Sequence, residues 1–308
     1  MSDEVTLPDM IKYATANEGR VLDLIMSESY CMQRKMDGRR LIILKRDVGI
    51  TCYNKRYEPA MAPKWLLDAV EQLPSGPWAF DGELVDDDYY IFDMPVTPRD
   101  DGNELAFDER QLMLQITLKG WRHPQIHKLD TWYTSDEKFW RLLDLRKHGA
   151  EGVVLRPRET NPYFTGQIYK YKFYQSVDAV VTDLRVEGKQ AITVAVFHNG
   201  ELLDIGKAKV DFETQAAMKS HSSVVEIRHR GLSRNIEDGG KMIEPVFLRV
   251  RDDKPSYSCS SAQLTVRGEA LVPGSHTIAS RVVEALIGST RDEAIRLIKG
   301  ERINDEAG

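Results

Sequence analysis

Apolar and polar residues alternate along the chain in two regimes that change near Tyr174. In the first, apolar positions at helical spacing predict a helix over about 8–26, followed by strand-like segments through 30–53 broken by Asp37-Gly38 and Gly49, residues suited to tight turns. "PKWLLDAVEQL" predicts a helix with Pro63 at its first position. "WAFDGELV" and "YYIFDM" read as strands flanking the acidic turn 86–88. "SDEKFWRLLDLRKHG" predicts a helix with Ser135 as N-cap, acids in its first turn, and Lys147 and His148 before the terminal glycine. Strands follow at "EGVVLRP" and "QIYKYKFY".

Beyond Tyr174 the strands become closely spaced: "VDAVVTDLRVEG", "AITVAVFHNG" and "ELLDIGKAKV", then a short helix near 211–220, then "VVEIRHRG" and "EPVFLRVRDDK". Five short strands with one intervening helix is the plan of an OB-fold barrel, with a small β-sandwich as the alternative. From about 276 the pattern predicts two short helices, the second opened by a capping box from Thr290 to Glu293 and stopped by Gly300. The fold class expected is α+β, in three parts: 1–174, 175–258 and a helical extension over 259–308.

Composition narrows the class. With 42% hydrophobic and 29% charged residues, the 308-residue chain reads as a soluble globular protein without a membrane span. The N-terminus has no basic segment followed by an apolar one, so no secretory signal is expected. Cys31, Cys52 and Cys259 are odd in number and widely spaced, which disfavours disulfides and a zinc site and points to a reducing compartment, the cytoplasm.

The net charge of −6 argues at first against a nucleic-acid partner. Its distribution matters more. Residues 1–30 hold six acids against Lys12 and Arg20, whereas 31–58 hold eight basic residues against Asp37, Asp47 and Glu58. A basic groove on an acidic body and an ordinary solvated surface both fit that pattern.

Within the basic stretch lies "KMDGRR". A lysine crowded by cations gains nothing as a surface charge, and the crowding favours the neutral amine, which suits a nucleophile. Lys-x-Asp-Gly alone is equally an ordinary hairpin turn. Here it has companions: "FDGEL" at 80–84, "YIFDM" at 90–94, "EGVVL" at 151–155, "KYKF" at 170–173 and "RVRDDK" at 249–254. Six motifs in this order, followed by an OB-like pattern, make the chain resemble the ATP-dependent DNA ligases, members of the covalent nucleotidyltransferase superfamily, over about residues 30–255.

The resemblance implies a nucleotidyltransferase (adenylation) domain of antiparallel sheets and flanking helices over 1–174, and an OB-fold domain over 175–258. It implies that Lys35 attacks the α-phosphate of ATP, expels pyrophosphate and carries AMP as a phosphoramidate. Arg40 matches the family arginine that contacts the nucleotide or the nicked end. Glu83 and Glu151 match carboxylates that bind the ribose or the catalytic Mg²⁺, with Mn²⁺ as the alternative metal; hard oxygen ligands suit such an ion. Phe92 matches the aromatic that stacks on adenine, though a core phenylalanine fits its strand equally well. Lys170 and Lys172 share one strand face, so both reach the same α-phosphate, with Tyr169 and Tyr171 turned into the core. Arg251 and Lys254 match the OB-domain segment that closes over ATP to orient the departing pyrophosphate. Arg228, Arg230 and Arg234 read either as DNA phosphate contacts or as solvated strand residues. Asp81 and Asp93 read at least as well as structural hydrogen-bonding groups.

The chain departs from the family in places. Gln33 stands two residues before the lysine, where many ligases carry Glu. Only about 30 residues precede the motif, so no separate N-terminal DNA-binding domain is expected, and the His-Asn-Gly turn at 198–200 leaves no room for the long insertion with which some small ligases encircle DNA. This minimal plan is similar to ligases of bacteriophages and bacteria. The expected function is ATP-dependent sealing of nicked duplex DNA by a monomer in the cytoplasm of a bacterium or phage-infected cell. An RNA ligase, an mRNA capping guanylyltransferase and a non-catalytic OB-fold binding protein are the competing readings.

Overall fold

The computed structural model describes residues 13–74, 76–98, 105–159, 167–184 and 190–267. It is a mixed α+β structure that divides into two compact units, one holding residues 1–142 and 151–172, the other 143–150 and 173–308.

In the first unit, β2 (Tyr30–Lys35), β8 (Thr131–Trp132), β9 (Gly152–Pro157), β10 (Tyr169–Lys172) and β1 (Ala14–Thr15) form one sheet in the order β1-β10-β9-β2-β8. A second sheet runs β4-β3-β5-β6-β7, from β3 (Arg39–Arg46), β4 (Gly49–Tyr53), β5 (Trp78–Val85), β6 (Asp88–Val96) and β7 (Ile126–Lys128). Pairing is antiparallel except for β1 with β10 and β6 with β7. Helix α2 (Lys64–Glu71) carries Leu66, Ala69 and Val70 on one face and covers the second sheet. Its core joins Leu41, Ile43, Trp78, Phe80, Tyr89 and Ile91, all fully buried.

Two local expectations change, and one helix is added. The N-terminal helix begins only at Glu18: α1 (Glu18–Met26) is capped by Asn17, whose side chain accepts from the Arg20 amide at 2.9 Å. Ala14 and Thr15, assigned by periodicity to that helix, instead pair with β10, where Ala14 N donates to Ile168 O at 2.9 Å. Helix α4 (Ser135–Lys147) is capped by Thr134 rather than Ser135, for Thr134 Oγ1 accepts from Glu137 N, and Glu137 Oε2 from Thr134 N, each at 3.3 Å. Helix α3 (Phe107–Thr117) gave no clean apolar stripe because Arg110 and Gln111 share its buried face with Phe107 and Leu114.

The second unit contains a five-stranded antiparallel sheet in the order β13-β12-β11-β14-β15, built from β11 (Gln175–Asp183), β12 (Ala191–His198), β13 (Glu201–Lys209), β14 (Val224–His229) and β15 (Val246–Val250). The short helix α5 (Phe212–Ala217), capped by Asp211, separates β13 from β14. Strands β12 and β13 are joined through Asn199 (φ 49°) and Gly200 (φ 87°), the two left-handed residues that a type I′ hairpin turn requires. Inward residues Val177, Val181, Ile192, Val194, Ile205 and Val225 form its core. Beyond β15 the chain makes two single 3₁₀ turns and bridges to Phe197 and Leu232. The two helices expected from about 276 lie outside the described residues.

Candidate functional site

Lys35 is the last residue of β2 and sits opposite Gly152 on β9; Lys172, the last residue of β10, sits opposite the same glycine from the other side. A Cβ at Gly152 would stand 2.0 Å from Tyr171 O, so only glycine lets β9 and β10 approach so closely. The preceding residue, Glu151, places Oε2 2.6 Å from Lys35 Nζ and Oε1 3.7 Å from Lys172 Nζ.

The turn after Lys35 reaches the second sheet. Gly38 N donates to Glu83 Oε1 at 3.2 Å, and a Cβ at Gly38 would meet Leu84 O at 2.2 Å. Arg40, at the start of β3, sits opposite Glu83 on β5. Its guanidinium grips the fully buried Asp81 through Nε–Oδ1 at 2.8 Å and a second, parallel bond. Burial pushes the Glu83 carboxyl up to about 7, against the opposing pull of Lys35, the Gly38 amide and Arg40. Asp93, fully buried, behaves in the opposite way: burial would raise it, but the bidentate Arg110 pair, 2.9 Å at each contact, overrides that and holds it below the usual range.

These elements enclose a cavity of about 300 Å³. Lys35, Arg40, Lys170 and Lys172 line it, together with Arg34, Lys55 and Arg156, against one lining carboxylate among the described residues, Glu83. Glu151 shares Lys35 and Lys172, and Asp81 holds Arg40, which still leaves basic charge in excess around the cavity, a site for a polyanion. Phe92 supplies a flat wall, its ring nearly buried, with the Arg156 guanidinium 5.1 Å from its centroid. Gln33 is buried beside it. Its Nε2 donates to Phe92 O and Thr131 Oγ1, each at 3.0 Å, which fixes the amide and leaves Oε1 as a buried acceptor without a partner among the described residues.

The structure thus brings Lys35, Arg40, Glu83, Phe92, Lys170 and Lys172 around one cavity and ties Glu151 to two of them. Asp81 and Asp93 hold arginines. Glu83 and Glu151 are the two carboxylates beside Lys35, and among the described residues no group of three or more His, Cys, Asp or Glu could cage a metal ion. Arg251 and Lys254 belong to the second unit, where Arg251 Nη1 lies 2.9 Å from Asp178 Oδ1, Lys254 Nζ bonds Asp178 Oδ2, and Asp253 takes Nε and Nη2 of Arg251 at 2.8 Å each. The bond to Asp253 raises Arg251 above its ordinary range. Of Arg228, Arg230 and Arg234 in the second unit, Arg230 is buried against Glu244 at 3.1 Å and offers no surface charge; Arg228 is exposed over the Tyr174 ring.

Sequence reasoning missed Tyr13, Lys55 and Arg156. Tyr13 lay in a segment read as helix. Lys55 is one of eight basic residues in the stretch 31–58 with nothing local to mark it, and Arg156 stands one residue beyond the 151–155 motif. Asp178, the acid that receives Arg251 and Lys254, lies too far from them in sequence for any spacing to reveal.

No protein-family model matches the sequence, and no curated protein matches it. Solved structures do resemble it. A structure of a Lig E DNA ligase, described as binding DNA with a minimal scaffold, superposes with a TM-score of 0.58 at 18% identity, over 80% of this chain and 100% of that one. A structure designated Pmar-Lig_Pre gives 0.59 at 16% identity, over 80% of this chain and 68% of that one. The chain has the fold of DNA ligases.

Proposed function

We propose that this chain is an ATP-dependent DNA ligase that seals nicks in duplex DNA. The observation that carries the reading is the position of Lys35, at the end of β2 on a cavity with seven lining cations, held between Glu151 and Glu83. A triphosphate needs such a cationic enclosure, and a phosphoryl transfer needs an amine aimed into it.

The lysine nitrogen attacks the α-phosphorus; the P–N bond forms as the bond to pyrophosphate breaks, and the amine proton leaves to solvent. Lys170 and Lys172 neutralise the equatorial oxygens as charge develops on them. Gln33 Oε1, a buried acceptor, complements the amino group of adenine and repels the carbonyl of guanine, which favours ATP over GTP. Phe92 is the stacking wall for the base. AMP then passes from Lys35 to the 5′-phosphate at the nick, and the 3′-hydroxyl displaces it, forming the phosphodiester.

Glu83 and Glu151 fit a hard divalent cation such as Mg²⁺ or Mn²⁺: both offer carboxylate oxygens beside Lys35, and the desolvated Glu83 carboxyl gains from a cation. Two protein carboxylates suit an ion whose other ligands are substrate phosphates and water, where it neutralises the departing pyrophosphate. Residues 1–174 form the adenylation domain in this reading. The sheet order β13-β12-β11-β14-β15, with β13 and β15 also in contact, supports an OB barrel over 175–258, with Arg251 and Lys254 as its nucleotide-facing pair and 259–308 as an extension. The protein acts as a monomer in a reducing compartment.

The test is sealing of a nicked duplex bearing a 5′-phosphate, with ATP and Mg²⁺. Wild type is expected to seal it; Lys35→Ala is expected to seal only a nick adenylated beforehand. Sealing of the plain nick by Lys35→Ala refutes the reading.

A further inference from the structure

A second cavity, of about 380 Å³, lies in the first unit between the segment that follows α3 and strand β7. Its volume is in the range of ligand sites, about 300–1,000 Å³. Lys119, Arg122 and Lys128 line it, and among the described residues no carboxylate does. All three side chains are exposed, and none has an ion-pair partner among the described residues. Asp88, at the start of the neighbouring β6, is occupied by His127 at 3.0 Å, and Asp130, two residues after Lys128, is the acid whose charge acts on that lysine without an ion-pair contact. Three unpaired cations around one hollow repel one another, and an anion placed among them relieves that repulsion.

The wall of the hollow is aromatic. Trp121 and His123 line it, and the His123 ring lies nearly parallel to Trp121 (centroids 6.0 Å apart, 17°) and to Trp65 of α2 (5.6 Å, 11°). Flat rings beside unpaired cations are the combination that grips a nucleic-acid strand, the cations taking phosphates and the rings packing on sugar or base. Among the described residues the lining offers Gln115 as its only side-chain amide and no enclosed set of donors and acceptors to read a base edge, so recognition there is independent of sequence.

We propose that this cavity is a second nucleic-acid contact, separate from the Lys35 cavity, in which Lys119, Arg122 and Lys128 hold backbone phosphates of the DNA flanking the nick against Trp121. The proposal rests on the ligase reading for its substrate. It gives a chain with a compact β12–β13 turn and an acidic overall balance a place to hold duplex outside its nucleotide pocket.

The test measures binding of a nicked duplex by fluorescence anisotropy across salt concentrations, for wild type and for the triple variant Lys119→Gln/Arg122→Gln/Lys128→Gln. Each phosphate contact contributes about 0.9 to the slope of log affinity against log salt, so the triple variant is expected to lower the slope by about 2–3 and to bind about 10- to 100-fold more weakly near 0.1 M salt. An unchanged slope and affinity overturns the proposal, provided the thermal midpoint shows the variant folded. Lys64→Gln, which removes an exposed lysine paired with Asp68, is the charge control; an equal loss there also overturns it. In a parallel titration read by tryptophan fluorescence, AMP is expected not to compete with DNA at this site, and a response to AMP that the triple variant abolishes while DNA binding persists assigns the hollow to free nucleotide instead. A wild-type protein that forms no lysyl-AMP refutes the ligase reading, whereas the salt slope tests this site on its own.

Discussion

Lys35 Nζ and Glu151 Oε2 stand 2.6 Å apart, on residues brought together by the pairing of β2 with β9, with Glu151 almost wholly buried. The carboxylate fixes where the amine sits without occupying the cavity that the amine faces. Glu151→Gln keeps the volume and removes the charge. It is expected to slow adenylation of Lys35 by about 10- to 100-fold, the loss of a charged hydrogen bond of about 1.5–3 kcal/mol. Single-turnover accumulation of the AMP adduct measures it, and an unchanged rate would remove Glu151 from the account.

Gly152 lies between Lys35 and Lys172 in the strand register. Gly152→Ala forces a methyl to within 2.0 Å of Tyr171 O unless β10 moves away. The expected cost is about 1–3 kcal/mol in urea unfolding, the range of overpacking, together with a loss of adenylation because Lys172 moves with β10.

Glu83 makes stability depend on pH. Burial pushes its folded carboxyl up to about 7 from the ordinary 4.5, so between those pH values the folded state holds a proton that the unfolded state has released. Stability from this group is therefore full below about 4.5 and declines as pH rises toward 7. Glu83→Gln abolishes that decline. Unfolding midpoints of both proteins at pH 5 and pH 8 are expected to converge at the lower pH and to favour the variant at the higher one. A parallel pH dependence in the two proteins would contradict this.

Asp93 serves the fold. Its ion pair with Arg110 is fully buried on both sides, so Asp93→Ala leaves an uncompensated guanidinium and is expected to cost about 3–5 kcal/mol. Denaturant titration measures it; a loss below about 1 kcal/mol would contradict the assignment.

In the second unit, Asp178 accepts from Arg251 and Lys254 together. Asp178→Asn is expected to lower stability by about 1.5–3 kcal/mol, the worth of its charged hydrogen bonds. The double change Asp178→Asn/Arg251→Gln should cost less than the sum of the single ones, since the two groups share one interaction.

Much of this was legible in the sequence because its signals are local. The strands that carry Lys35, Glu83, Phe92 and Lys172 each announce themselves as short apolar and aromatic runs that end in a recognisable motif, and the two-residue turn at Asn199-Gly200 dictates its own hairpin. What stayed hidden depends on contacts across the chain. Helix α3 turns Arg110 toward the core because Asp93 waits there, and nothing near Arg110 says so. Ala14 and Thr15 leave the helical pattern for the edge of β10, more than 150 residues away. The basic stretch 31–58 held both outcomes: Arg34, Lys35, Arg40 and Lys55 line the cavity, while Lys45 is buried, donating to the carbonyls of Val70, Glu71 and Leu73. Residue type alone could not separate them.

The central claim is that Lys35 carries AMP on the way to a sealed nick. Intact-protein mass after incubation with Mg²⁺ and either ATP or GTP, repeated after adding nicked duplex DNA, tests it most directly. The account predicts a gain equal to one AMP from ATP alone, absent in Lys35→Ala and discharged by nicked DNA. A GMP adduct, an adduct discharged only by RNA, or no adduct at all would contradict it.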